Sequence, residues 1–312
     1  MTIPLIIGAV VVIAAIASIV IFVIKKKKKA DSGSTTVTIQ PDTSGRVPVK
    51  KALLVGINVY KPELNANLQG CVNDVETMRK LLVGDFKFLP ENVRILVDER
   101  ATKQGILDRL KWLLDGAKEG DELVFHYSGH GSQVRDRDGD ELEDQLDEIL
   151  CPHDLDWDDP LTDDRLAELF KQLPKGVYLT MLCDSCHSGT ISKSISKIHR
   201  NTSKSINAPF DIQARAYGMI LPKNKIGKKD KGTQRHILVS GCKDNQTSAD
   251  AYIDGKYQGA FTWALTKTIR ENPDIQWNQA HEKIVETLNG YSQEPQLSGD
   301  ANVIFRKVFG SK

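Results

Sequence analysis

Residues 177–189 read Val-Tyr-Leu-Thr-Met-Leu-Cys-Asp-Ser-Cys-His-Ser-Gly, an apolar run that ends in a turn dense with reactive side chains. A short run of large and β-branched residues stopped by Asp, Ser and Gly is the pattern of a buried strand followed by a loop. The loop admits three chemistries. Cys183-x-x-Cys186-His187 has the spacing of covalent haem attachment, Cys183-x-x-Cys186 alone that of a dithiol redox pair, and Cys186 before His-Ser-Gly could be a hydrolytic nucleophile.

Outward from that strand, similar runs recur at 52–56, 94–97, 123–127 and 237–240. Segments with apolar residues at helical spacing separate them: Val75 to Leu82, Ile106 to Ala117 and Leu166 to Leu173, the last capped by Thr162 with Asp163 and Asp164 in its first turn. Alternating strands and helices predict an α/β fold with a mostly parallel sheet. Such sheets carry function outside the carboxyl ends of their strands, here residues 128–131 and 184–189. Further on, Asp254-Gly255 predicts a hairpin turn, residues 260–269 and 277–288 predict helices, and the apolar run Val303 to Val308 predicts an edge strand.

The chain has 312 residues, enough for one large domain, and a formal net charge of +1, which offers no global field for nucleic acid. Residues 3–24 are 22 positions without a charge, long enough to cross a hydrocarbon core of roughly 30 Å. Lys25 to Lys29 follow directly, so a single-pass anchor is expected with the soluble body on the cytoplasmic side. The expected organisation is an anchor at 1–24, a basic and polar tether at 25–48, and one domain at 49–312. The five cysteines have no framework spacing, as expected for free thiols in a reducing compartment. Haem attachment needs an oxidising, export-side compartment, so this topology counts against it. A phosphatase loop is unsupported, since no Arg lies six residues after Cys186.

His130 sits in Tyr-Ser-Gly-His-Gly, 56 residues before Cys186. With His-Tyr-Ser-Gly-His-Gly-Ser-Gln at 126–133, Asp-Ser-Cys-His-Ser-Gly at 184–189, Gly-Cys-Val-Asn-Asp at 70–74 and Ser-Gly-Cys-Lys-Asp-Asn-Gln-Thr-Ser-Ala-Asp at 240–250, the chain resembles a metacaspase over residues 51–309. The resemblance implies a caspase-like three-layer α/β fold, with a large-subunit-like part at 49–190, an exposed loop at 191–234 and a small-subunit-like part at 235–312. It also implies a peptidase that cuts after Arg or Lys, with Cys71, Asp74, Ser128 and Asp184 lining the pocket.

The residue types suit that chemistry. A thiolate is the attacking species, so Cys186 needs a partner such as His130 to take its proton and later give it to the leaving amine. The backbone N–H groups of Cys186 and Gly131 are candidate oxyanion donors. Cys183 is read as a packed small hydrophobe. The Lys- and Arg-rich loop after residue 190, with Lys193, Lys197 and Arg200, is a candidate for self-cleavage.

Residues 135–159 are crowded with carboxylates, whose repulsion a hard cation would relieve, although the spacing is not that of an EF-hand. The resemblance points to Asp147, Asp163 and Asp164 as calcium ligands. Some members have a fourth acidic ligand that would fall near Lys193, where this chain is basic. The other readings are a membrane-tethered caspase-like scaffold without significant proteolysis, and a c-type haem or dithiol redox protein.

Overall fold

The computed structural model describes residues 46–135, 146–186, 201–212, 236–243 and 246–310. The candidate anchor at 3–24 lies outside them. No helix among the described residues is long and apolar enough to cross a membrane.

Five parallel strands and one antiparallel strand form the central sheet. They are β1 (Lys50–Gly56), β2 (Val93–Val97), β3 (Glu122–Ser128), β7 (Tyr178–Asp184), β9 (His236–Ser240) and β12 (Gln296–Ser298), in the order β12-β9-β7-β3-β1-β2. Only β12 runs against its neighbour. Side chains alternate across a strand, and the apolar runs therefore serve both faces. Leu53, Val55, Phe125 and Tyr127 enter one core with α2 (Lys103–Leu114) and α3 (Asp163–Phe170). Ala52, Leu54, Val124 and Leu182 enter the other with α1 (Cys71–Lys80), α4 (Ala260–Glu271) and α5 (Trp277–Thr287). Each large aliphatic chain so buried contributes about 1.5–3 kcal/mol, which is why the sheet is the rigid part that carries the site.

The expected helix start at Thr162 holds in its chemistry. The Thr162 hydroxyl accepts from the Arg165 N–H at 3.2 Å and opens α3 with Asp163 and Asp164 in its first turn. At the hairpin, Asp254 has φ 51° and Gly255 φ 85°, the double left-handed turn that suits the twist of its strands. These strands are β10 (Ala249–Ile253) and β11 (Lys256–Gly259), with Ile253 opposite Lys256.

Two features depart from expectation. Val303 to Val308 is not an edge strand. A short helix, α6 (Ala301–Ile304), stands there, and Val308 and Phe309 plug the core beside Trp277. The edge of the sheet is β12 instead. Within 303–308 only Val308 is buried, and its N–H donates to the Ile275 carbonyl at 3.0 Å. The second departure is the region after His130, where β4 (Gly131–Arg135), β5 (Leu146–Leu150) and β6 (Leu161–Thr162) form a separate antiparallel sheet beyond the expected strands. A further small sheet joins β11, β10 and β8 (Thr202–Ser203).

Candidate active site

Parallel pairing of β3 with β7 sets Ser128 opposite Asp184, so the loops leaving both strands start side by side. His130 follows β3. Its N–H donates to the Tyr60 hydroxyl at 2.7 Å, while its carbonyl accepts from the Tyr127 hydroxyl at 2.7 Å and the Cys151 N–H at 3.0 Å. The Tyr60 ring lies against the imidazole, with centroids 4.9 Å apart. Only glycine fits at 129, because a Cβ there would stand 2.7 Å from the Tyr127 hydroxyl oxygen and 2.9 Å from that of Tyr60.

One contact fixes the tautomer of His130. Nε2 lies 2.6 Å from the Ala66 carbonyl oxygen, which can only accept, so Nε2 carries the hydrogen. Nδ1 is left with its lone pair, facing the Lys204 backbone. Burial lowers the imidazole pKa to about 4, so the ring is neutral and able to act as a base.

Cys186 lies two residues past β7 and is fully buried. Its Sγ accepts from the Ser248 N–H and lies 3.3 Å from the Ser248 carbonyl oxygen. Cys183 differs in kind. It is embedded in β7, and burial pushes its thiol up to about 12. That value marks an inert, packed sulfur.

The backbone N–H groups of Cys186 and Gly131 converge on one atom, the carbonyl oxygen of Lys204, at 3.1 and 3.0 Å. This is the geometry required of two donors to an oxyanion. The side chain of the same residue enters a closed pocket. Its ammonium lies 3.2 Å from Asp74 Oδ2, 2.9 Å from Ser128 Oγ and 3.0 Å from Asp184 Oδ1. Three donors meet three acceptors, and Lys204 is fully buried. Asp74, Ser128 and Asp184 are thus brought together. Cys71 opens α1 three residues before Asp74, with its N–H donating to Asn58 Oδ1 at 2.8 Å.

Several residues in the site carried no signal in the sequence. The Thr262 N–H and hydroxyl both donate to Asp184 Oδ2, at 2.9 and 2.7 Å, and the Ser248 hydroxyl donates to Oδ1 at 2.7 Å. The Gly259 N–H donates to Asp74 Oδ1 at 2.9 Å, and a Cβ on Gly259 would run into both the Lys204 ammonium and Asp184. Asp250 holds the Gln69 N–H at 2.7 Å and adds negative charge near Lys204. Ser248 and Asp250 lie in the 240–250 motif, but their role depends on β10 lying beside β8, which spacing does not encode.

The acidic cluster is less complete. Asp147 stands on β5, while Asp163 and Asp164 open α3 beside β6. Among the described residues no three His, Cys, Asp or Glu side chains converge as metal ligands.

The family model for the metacaspase, peptidase C14 domain matches residues 50–194. Metacaspase-1 of Schizosaccharomyces pombe is 36% identical over 286 residues, covering 80% of this chain and 67% of that protein. Metacaspase-1 of Ajellomyces capsulatus is 35% identical over 284 residues, covering 80% of this chain and 79% of that protein. The chain belongs to the metacaspase family. It is accordingly a cysteine-type endopeptidase with protein substrates. Among solved structures, a Geobacter sulfurreducens protein matches with TM-score 0.62 at 27% identity, covering 85% of this chain and all of its own. Caspase-1 of Spodoptera frugiperda matches with TM-score 0.50 at 12% identity, covering 85% and 91%, a likeness of fold alone. With this metacaspase fold established, haem attachment and dithiol redox chemistry lose their ground, since Cys183 is a strand residue buried in the core of a peptidase domain.

Proposed function

We propose that this metacaspase cuts peptide bonds after Lys or Arg, with Cys186 as nucleophile, His130 as general base and acid, and the N–H groups of Cys186 and Gly131 as oxyanion donors. The carrying observation is that one residue, Lys204, satisfies both halves of the site: its carbonyl oxygen rests on the two N–H groups and its ammonium on Asp74, Ser128 and Asp184. Attack by Sγ on the lysyl carbonyl carbon gives a tetrahedral oxyanion. His130 then protonates the amine nitrogen of the following residue, and its departure leaves a thioester that water hydrolyses, returning the thiol.

The same observation supports self-processing in the loop after residue 190, with Lys204–Ser205 as the bond presented. Lys193, Lys197 and Arg200, the sequence-based candidates, lie outside the described residues. Mass spectrometry of the incubated full chain is expected to find a new C-terminus at Lys204 and a new N-terminus at Ser205, neither formed by Cys186→Ala. A wild-type chain that stays whole while hydrolysing lysyl peptides would reject this route.

Calcium dependence is a further part of the proposal. It rests on the likeness of Asp147, Asp163 and Asp164 to the family's ligand set; the described residues do not complete a site, and the chemistry above routes no step through an ion. Titration of activity with calcium and a chelator tests it. A membrane tether through residues 3–24, with the peptidase in the cytoplasm, rests on the uncharged run and the five lysines after it. Carbonate extraction of membranes tests that arm.

A further inference from the structure

Gly131 uses both of its backbone groups on the docked segment. Its N–H holds the Lys204 carbonyl at 3.0 Å, and its carbonyl accepts the Ile206 N–H at 3.1 Å, with Gly131 opposite Ser205 in a parallel bridge. One residue therefore registers the chain on both sides of the Lys204–Ser205 bond. On the side before the bond, Thr202 and Ser203 pair with Asp250 and Ala249 as an added strand.

Lys204 and Ala208 are buried, Ser205 and Ile206 are half-buried, Ile206 packs against the core that includes Tyr60, Tyr127 and Leu150, and Asn207 is exposed. The sequence adds an independent mark. Ser-Lys-Ser-Ile stands at 203–206 and again at 192–195, eleven residues earlier.

We propose that the site reads the residue two places beyond the cut, through a subsite beside Gly131 that takes a branched aliphatic side chain and that Ile206 occupies in the uncut chain. This rests on the reading of Lys204 as a docked substrate residue. It adds that recognition spans the bond: the carboxylate pocket selects the lysine, and the apolar shelf beyond Gly131 selects Ile or Val. The backbone bond from Gly131 fixes the strand for any sequence, whereas the aliphatic contact discriminates between sequences. Half-burial of an isoleucine supports a preference of about tenfold over a charged residue, most of it in KM because the contact is already made before reaction.

The test uses full-length wild-type protein and internally quenched peptides of sequence Thr-Ser-Lys-Ser-X-Asn-Ala, with X as Ile, Val, Ser or Asp. A lysyl-coumarin amide, which has nothing at that position, is measured in parallel. The expected result is kcat/KM falling about tenfold from Ile to Asp with Val near Ile, while the coumarin amide is hydrolysed. Equal rates for all four peptides, with the coumarin amide still cut, overturn the subsite and leave the peptidase reading standing. If no lysyl substrate of either kind is cut, both fail together. In the chain itself, Ile206→Asp is expected to slow the appearance of the Ser205 terminus several-fold and Ile206→Val to leave it near wild type; an unchanged rate in Ile206→Asp also overturns the proposal.

Discussion

The Lys204 ammonium lies 3.0 Å from the Asp184 carboxylate, with both side chains wholly buried. Such a pair is tolerable only when every remaining donor and acceptor is met. Here it is, since Ser248 and Thr262 supply Asp184 and Ser128 and Asp74 supply the lysine. Burial pushes the Asp184 carboxyl up, but the Lys204 ammonium and the bonds from Ser248 and Thr262 outweigh it and hold the group below its usual range. Asp74 goes the other way, raised to about 6 chiefly by burial. Asp184 is the fixed anion of the pocket and Asp74 its weaker partner.

Asp184→Asn should therefore cost more than Asp74→Asn. Leaving a buried cation without its charged partner costs about 3–5 kcal/mol, or roughly two to four orders of magnitude in kcat/KM for lysyl peptides. Steady-state kinetics on the two variants decide it. Full activity in Asp184→Asn would remove this carboxylate from the substrate pocket.

Lysine should be preferred to arginine. A carboxylate with both oxygens free would suit the planar guanidinium at least as well as an ammonium. Asp184 Oδ2 is taken by Thr262, and the Gly259 N–H reaches both Asp74 oxygens, so neither carboxylate has both oxygens free for the cation. A tripod of Asp74, Ser128 and Asp184 suits three ammonium hydrogens better than a planar fork. A peptide library varied before the cut should rank Lys at or above Arg; a tenfold arginine preference would contradict the tripod.

Gly259→Ala should block the pocket, because the new methyl would overlap the lysine ammonium and Asp184. Hydrolysis of lysyl peptides is expected to drop about a hundredfold, the scale of a lost buried contact, while circular dichroism stays that of the wild type. Wild-type turnover in this variant would place substrate lysine elsewhere.

Cys186→Ala and His130→Ala should each abolish hydrolysis, whereas Cys183→Ala should keep most of it, since burial holds that thiol near 12 and away from reaction. Loss of activity in Cys183→Ala with folding intact would restore a role for the paired thiols.

Self-cleavage should persist at unusually low pH. A lowered His130 pKa means that the folded state prefers the neutral ring, a stabilisation present above the unfolded value of about 6.5. It is lost as pH falls toward the folded value of about 4. The base is therefore available down to that range, with only a shallow step near 6 as Asp74 takes up a proton and loosens its hold on the lysine. Half-times for appearance of the Ser205 terminus across pH 4–8 test this. A steep acid limb centred at 6.5 would mean that His130 titrates as a free histidine.

The local pattern of the sequence was enough to place β1, β2, β3, β7 and β9, the start of α3 and the Asp254-Gly255 turn, because burial period, a Thr cap and a left-handed dipeptide are encoded within a few residues. It also placed His130 and Cys186, each just past a strand that ends at the same edge. Parallel sheets bring such loops together whatever the intervening chain does. Val303 to Val308 departs for the converse reason, since an apolar run does not by itself say whether it pairs or packs: Val303 and Ile304 lie on a short helix and only Val308 enters the core.

What only the tertiary structure decided is the content of the pocket. Nothing local distinguishes Lys204 from the other lysines of a Ser- and Lys-rich stretch, or marks Thr262, Gly259 and Ser248 as partners of acids at 74 and 184. The contacts of Ser248, Thr262 and Gly259 with these acids join residues 64 to 185 positions apart, and they exist because β8 lies on β10 and α4 begins beside the end of β7. Sequence supplied the reactive groups and the sheet edge that collects them; long-range packing decided which cation the acids hold and which peptide bond rests on the amides of Cys186 and Gly131.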